Sequence, residues 1–328
     1  NNGSVDLRTG GLRAHQRTDL ITKLAPVAYD PKADAPIFKA FLRQIFFQNE
    51  SLIGFVKRAF GYALTGSVEE QVLFFFHGSG QNGKTTLVNA ILNTLGPDYA
   101  QTAAPGLLMV KRNEPHPTEI ADLWGKRVIV TVEVEQGKRL AEVLVKQLTG
   151  SERLKGRFMR KDFFEFSPMH KIFLVANHKP VIKGTDFAIW RRIKLVPFNI
   201  VIPEAERDTT LPEKLKGEVA GILAWCVQGC LEWQRNGLGT PEEVKVATAE
   251  YKSEMDTLGD FLAERCEVDP EAEVVKADLY GAYIEWAEKG GEHPLSKKEF
   301  GMRLKERRIE DNRSGKERTR VWRGLKLV

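Results

Sequence analysis

Residues 74–87 read FFFHGSGQNGKTTL, and no other stretch restricts the fold of this chain as strongly. An apolar, β-prone run stops at Gly78. Gly83, Lys84 and Thr85 then complete the spacing G-x-x-x-x-G-K-[ST]. Glycines in such a loop let backbone amides close around an anion, and a helix starting at Lys84 would aim its N-terminus at the same point. Gly78, Ser79, Gly80, Gln81, Asn82, Gly83, Lys84, Thr85 and Thr86 are therefore assigned to a nucleoside triphosphate. Lys84 would reach the β/γ oxygens, and the Thr85 hydroxyl would ligate Mg2+. An ordinary glycine turn has no need of a strand before it and a helix after it.

The remainder of the chain must say what the nucleotide is used for. Its 328 residues suffice for two or three domains. Hydrophobic content of 42% and charged content of 28% are those of a soluble globular protein, and no apolar run approaches a membrane span. The polar start NNGSVDLRTGG leads us to expect no signal peptide and a cytoplasmic protein, and its opening on Asn1 suggests a fragment of a longer one. Cys226, Cys230 and Cys266 fit a reducing compartment. The first two lie one helical turn apart and read as core thiols, with no second pair to make a zinc site. The segment from Lys297 onward holds twelve basic and five acidic residues; its +7 exceeds the +5 of the whole chain, which makes it a candidate phosphate-binding surface.

Four segments follow from the patterning. Residues 1–67 read as a small N-terminal domain: a hairpin around Thr9-Gly10-Gly11, then helix ending at Gly66. Residues 68–200 alternate strands (72–77, 127–132, 172–176, 193–197) with helices (84–95, 118–123, 140–148), which predicts an α/β core with a buried parallel sheet. Residues 201–256 read as helical, with Leu215, Val219, Ile222, Leu223, Cys226 and Cys230 on one face and Gly237 closing it. Residues 257–328 offer two helices split by GEHPL, Ser296 capping the second with Glu299 three residues on, and then a charged hairpin. That order reads as a winged helix that would bind duplex DNA or a partner protein.

Several groups fit phosphoryl-transfer chemistry around the glycine loop. RVIVTVEVE ends in Glu133 and Glu135; a carboxylate at the end of a strand next to the loop strand can hold Mg2+ and orient water. Acids one residue apart face opposite sides unless the strand breaks, so Glu133 is the first choice and Glu135 the second. FLVAN ends in Asn177, placed to sense a γ-phosphate. Arg191 and Arg192 precede another strand, where an arginine can stabilise transferring charge, often in a neighbouring subunit. GRFM and FFEF could pair as a hairpin with Arg160 and Lys161 near its tip and Lys155 and Arg157 on the way up, suited to successive phosphates of a single strand.

Taken in order, GSGQNGKTT, VTVEVEQGKRL, KQLTGSERLKGR, FLVANHKP and GTDFAIWRRIKLVPF resemble the superfamily 3 helicases of the AAA+ class, in the branch of phage and plasmid primase–helicases related to the poxvirus primase–helicase. LITKLAPVAYDP is similar to the linker before that ATPase domain, and LSKKEFGMRLKER to its winged-helix terminus, so nearly the whole chain is covered. The resemblance implies a hexameric ring with ATP between subunits. Lys84, Thr85, Glu133, Glu135 and Asn177 would act in cis, and Arg191 or Arg192 would be the finger in trans. Arg160 and Lys161 would sit on a DNA-gripping hairpin. Many relatives carry Ser or Thr where this chain has Val132 and Val134, which leaves open which acid leads. A primase or polymerase module is expected only as a partner.

The sequence thus leads us to expect an ATP- and Mg2+-dependent DNA helicase domain of a phage or mobile-element replication protein, acting on single-stranded and forked DNA and not on membranes. Two other readings remain at this point: a DNA-binding ATPase that remodels or initiates without processive unwinding, and a P-loop kinase. A GTPase is disfavoured because NHKP does not supply N-K-x-D.

Overall fold

The computed structural model describes residues 1–328 except 112–115, 134, 185–186, 292–293 and 316–317, and Glu133 by its backbone alone. The chain forms two compact units, Asn1–Glu250 and Tyr251–Val328. In chain order the first holds a hairpin of β1 (Ser4–Asp6) and β2 (Gly11–Arg13), then helices α1 (Pro36–Ile45) and α2 (Glu50–Leu64) and strand β3 (Leu73–His77). Helix α3 (Lys84–Tyr99), β4 (Ala100–Thr102), α4 (Pro117–Ala121), β5 (Val128–Glu133) and α5 (Glu142–Leu148) follow. A short hairpin of β6 (Leu154–Gly156) and β7 (Phe164–Phe166) precedes β8 (Lys171–Ala176), α6 (Phe187–Trp190) and β9 (Ile193–Pro197). Helices α7 (Leu211–Gly217), α8 (Val219–Asn236) and α9 (Glu242–Glu254), whose last turn belongs to the second unit, come last.

Five strands form one parallel sheet in the order β4-β5-β8-β3-β9. The four strands expected from the sequence are present. The edge strand β4 was not expected, since Ala-Gln-Thr is too short and polar to announce itself. The order also corrects one expectation: the strand ending in Glu133 is not beside the loop strand, because β8 lies between them. Helix α3 is interrupted at Gly96 (φ 69°), followed by Pro97, so its regular part ends where the sequence predicted.

The first 67 residues and residues 201–250 are not separate bodies. They share one hydrophobic core with one face of the sheet, running from Val27 through Phe60, Phe74, Phe76 and Phe173 to Val244. Phe60 of α2 stacks on Phe173 of β8 at 4.6 Å. Helices α2 and α8 touch backbone to backbone: a Cβ on Gly61 would lie 2.1 Å from Cys230 N, and one on Gly229 would lie 2.1 Å from Lys57 O. Lys57 Nζ meets Glu232 at 2.6 Å on the rim of this contact. These two glycines are thus what lets the helices of residues 1–67 and 201–250 meet.

The second unit contains α10 (Thr257–Arg265), β10 (Cys266–Val275), α11 (Lys276–Lys289), α12 (Lys297–Glu306), β11 (Glu310–Ser314) and β12 (Thr319–Leu327). Its strands form an antiparallel sheet ordered β10-β12-β11. Phe261, Tyr283, Phe300, Leu304, Trp322 and Leu325 lie in its own core. The expected cap is present, with Glu299 N–H donating to Ser296 Oγ at 3.3 Å. Strand β10 went unread because CEVDPEAEVV is acidic and holds a proline; its register shifts between Asp269 and Glu273, which accommodates Pro270. Glu292 and His293 of the expected connection and Lys316 and Glu317 of the expected wing turn lie outside the described residues. Among the described residues no helix is long and apolar enough to cross a membrane.

The contact between α2 and α8 generates a stability prediction. Gly61→Ala forces a methyl into the Cys230 backbone, and overpacking of this kind costs about 1–3 kcal/mol. Urea unfolding should show that loss, whereas Gly217→Ala, which meets nothing within 4 Å, should leave the midpoint unchanged or raised.

Candidate nucleotide and nucleic-acid sites

The parallel register levels the carboxyl ends of the strands. His77 sits beside Ala176 on one side and Pro197 on the other, and Glu133 is level with Ala176. The glycine loop leaves β3 at this edge and wraps onto the first turn of α3. Gly78 has no room for a side chain: a Cβ would lie 2.3 Å from Phe198 O and 2.4 Å from Asn82 Nδ2. Gly80 (φ 107°) and Gly83 (φ 83°) adopt backbone angles that favour glycine, and Gln81 (φ 51°) shares the left-handed region.

Lys84 is buried within its own loop. Its Nζ donates to Gly78 O at 2.8 Å and to Asn82 Oδ1 at 2.9 Å, while Asn82 Nδ2 donates to Phe198 O at 3.2 Å. The loop therefore keeps its shape through the lysine, for whose ammonium phosphate oxygens would compete. Thr85 is exposed at the start of the helix, and Ser79 and Gln81 are exposed on the loop. These groups fit a triphosphate: backbone angles that favour glycine, a cation hydrogen-bonded to a carbonyl and an amide oxygen, and a helix N-terminus.

Asn177 follows directly on β8. A Cβ placed on Gly80 would lie 3.9 Å from its Nδ2, so the structure brings this amide to the loop. Glu133 is the last residue of β5, at the same edge but one strand removed; its side chain, expected as a Mg2+ ligand, lies outside the described residues, as does Val134. Glu135 lies beyond the strand, largely exposed and paired with Lys138 at 2.7 Å.

The two arginines part company. Arg192 is buried, donating from Nη1 to Ala188 O at 2.6 Å and from Nε to Thr149 Oγ1 at 3.2 Å. Arg191 is exposed, and both reach Gln71 Oε1. They precede β9 and so stand at the amino end of the sheet, where Leu73 N–H donates to Arg192 O at 2.8 Å. A five-residue strand spans about 16 Å at ~3.3 Å per residue, so neither arginine reaches the loop of its own subunit.

The hairpin forms with a shorter ladder than expected. Lys155 pairs with Glu165 and Gly156 with Phe164, while residues 157–163 make the turn. Arg160 (φ 59°) and Lys161 are exposed at its tip. The turn end of its ladder is fixed on α4, where a Cβ on Gly156 would lie 2.8 Å from Ala121 N. Lys155 Nζ and the Arg157 guanidinium lie 5.2 and 4.8 Å from the centre of the Phe163 ring, and Phe158, Met159 and Phe163 are exposed. The sequence reading put these apolar groups into strand pairing; the structure displays them beside the cations.

Three side chains near the loop or the arginines were not singled out from sequence. Arg207 donates to Ile202 O at 2.9 Å and to the Gln81 side chain, placing a cation at the loop apex. Gln71 and Thr149 hold the arginine pair. No local pattern marks them, because each acts across more than 40 residues of chain.

Comparison with known proteins adds three family matches: a family described as D5 N terminal like over residues 1–47, a family of unknown function over 76–192, and a family described as Poxvirus D5 protein-like over 253–322. The chain is 28% identical over 310 residues to "Putative helicase L207/L206" of Acanthamoeba polyphaga mimivirus, which covers 87% of this chain and 32% of that one. It is 26% identical over 286 residues to "Putative helicase 022R" of Frog virus 3, covering 81% and 29%. It thus spans about a third of the length of these curated relatives. Among solved structures, the apo NrS-1 C terminal region shares its fold at a TM-score of 0.53 with 15% identity, over 90% of this chain and 78% of that one.

Burial lowers the Lys84 ammonium to about 8. The protonated form is the one that binds phosphate, so ATP affinity should be level below that value and fall above it, where binding requires proton uptake. Lys84→Arg keeps its charge throughout and should give a flat, weaker profile. Calorimetric titration with ATP from about pH 7.5 to about pH 9.5 checks this; an unchanging wild-type affinity would refute it.

Proposed function

We propose that this chain, which belongs to the poxvirus D5-like primase–helicase family, is the ATP-driven motor segment of a DNA replication helicase. The observation that carries this reading is the division of one catalytic apparatus between two ends of the sheet. The loop, Lys84 and Asn177 stand at the carboxyl edge, and exposed Arg191 stands at the amino edge. Such a site is complete only when a second copy brings its own Arg191 to the first copy's nucleotide. That supports a ring of AAA+ type, and the strand order β4-β5-β8-β3-β9 is in keeping with it.

In this reading Lys84 and the loop amides hold the β- and γ-phosphates, and Asn177 orients the attacking water. The Thr85 hydroxyl and the Glu133 carboxylate would hold Mg2+, which supplies charge compensation on the phosphate oxygens. Arg191 stabilises the charge that develops during transfer, while buried Arg192 positions it through the shared Gln71. Glu135, tied to Lys138 outside the strand, is the weaker candidate for the acid.

The β6–β7 hairpin would grip single-stranded DNA, Arg160 and Lys161 on phosphates and Phe163 against bases. Lys155 and Arg157 flank that ring, and stacking tolerates any sequence. The second unit would act as a winged helix on duplex DNA. Exposed Lys298, Arg313, Arg318 and Arg320 lie on α12 and the β11–β12 side, whereas Glu267, Asp269, Glu271 and Glu273 are gathered on β10 at the opposite sheet edge. A remodeller without processive unwinding shares every one of these features except productive translocation.

Two experiments test the proposal. On a forked duplex, ATP should drive strand displacement that Lys84→Ala abolishes; Arg160→Ala with Lys161→Ala should keep basal hydrolysis and lose its stimulation by single-stranded DNA. Hydrolysis without displacement would favour the remodeller. Arg191→Ala should lower hydrolysis about 10³-fold or more with ATP binding intact. Mixing it with Lys84→Ala subunits should restore part of the rate, since some interfaces then pair an intact loop with an intact arginine. No restoration would sink the shared site.

A further inference from the structure

The glycine loop, residues 78–86, carries one cation of its own, Lys84. A triphosphate keeps net negative charge even with Mg2+ on it, so a single ammonium leaves charge uncompensated. A second cation stands at the loop, and it comes from the segment after β9. That segment is fastened to Gln81 twice. Ile202 N–H donates to Gln81 O at 2.9 Å, and the Arg207 guanidinium donates to the Gln81 side chain. Arg207 Nε donates to Ile202 O at 2.9 Å, which turns the guanidinium toward the loop. A short turn over Glu204–Glu206 sets its backbone, with Arg207 N–H donating to Glu204 O at 3.2 Å.

This direction runs against the local charges. Arg207 lies in EAERD, between Glu206 and Asp208, and it is exposed, so carboxylates are at hand. Among the described residues none of Glu204, Glu206 and Asp208 pairs with it. Asp208 is instead engaged by Lys214 Nζ at 2.6 Å and Thr210 Oγ1 at 2.6 Å. The guanidinium thus passes over neighbouring carboxylates for a neutral amide oxygen, on a residue whose backbone is left-handed (φ 51°). A hydrogen bond to an anionic oxygen is about twice as strong as one between neutral groups, so a phosphate seated on the loop amides would displace Gln81 as the acceptor. The planar guanidinium can take two such oxygens at once.

We propose that Arg207 is a second phosphate-binding residue of the glycine loop, acting within its own subunit and exchanging the Gln81 amide oxygen for polyphosphate oxygens when the nucleotide binds. The inference rests on the nucleotide reading of the loop and deepens it.

Calorimetric titrations of the full chain with ATP and with inorganic tripolyphosphate test it. Arg207→Ala should weaken both about 10–100-fold, the usual cost of losing one hydrogen bond to a charged group. Arg207→Gln keeps a donor for the Gln81 side chain but no charge; it should be as weak as Arg207→Ala, whereas Arg207→Lys should recover part of the loss. Added salt should cost the wild type more affinity than Arg207→Ala, which has one charge contact fewer to screen. Because Arg207 is exposed, all three variants should melt with the wild type in the absence of nucleotide. Mixing Arg207→Ala with Lys84→Ala subunits should restore no hydrolysis at sub-saturating ATP; restoration would place the arginine in a neighbour's site and overturn the proposal. Near wild-type affinity in Arg207→Gln would reduce the arginine to a brace for the loop, and unchanged affinity in Arg207→Ala would remove it altogether; either result overturns the proposal and leaves the loop reading standing. ATP affinity indifferent to Lys84→Ala would overturn the loop reading itself.

Discussion

The parallel pairing of β3 with β8 and β9 governs everything else in the first unit. Leu73 lies level with Ile172 and Ile193, and His77 with Ala176 and Pro197. That single register sends the glycine loop, Asn177 and residues 199–202 to one edge. It sends Gln71, Arg191 and Arg192 to the other. A shift by one residue would turn Phe74 and Phe76 out of the core and exchange which side chains meet the helices. The apolar contacts of Phe60, Phe74 and Phe173 secure the register, and the chemistry follows from it.

Helices α2 and α8 support this sheet from segments far apart in sequence. Their glycines allow backbone contact, and the cost of ordering an N-terminal segment of more than 60 residues is met by one continuous core. The same arrangement lets the end of α1 touch the loop: a Cβ on Gly83 would lie 2.5 Å from Ile45 Cγ2. The glycine loop is therefore built on the N-terminal helices as well as on its own strand.

Much of this was legible in the residues. The loop, four of the five sheet strands, the hairpin with Arg160 at its tip and the Ser296 cap follow from spacing and periodicity. What the sequence withheld was spatial order. Nothing in RVIVTVE says that another strand separates it from FFFH, and nothing in Arg191-Arg192 says which is buried. Burial is decided by Thr149, Ala188 and Gln71, which converge only in three dimensions. Strand β10 was hidden for the opposite reason: its local composition disfavours a strand, and pairing with β12 overrides it. Phe158 and Phe163 were read into the paired strands of the hairpin, yet a seven-residue turn carries them outward.

Gln71 binds both arginines and lies two residues before the first residue of β3. The strand that ends in the glycine loop is thus anchored, at its other end, to the arginine pair that the proposed ring would share with a neighbour. In a closed assembly each β3 would be a stiff rod of five residues with a nucleotide site at either tip. A displacement of the arginine on phosphate release next door would push along that rod with no hinge to absorb it. Sites around such a ring would be mechanically in series, and their order of firing would be set by strand rigidity, with no separate signalling element required.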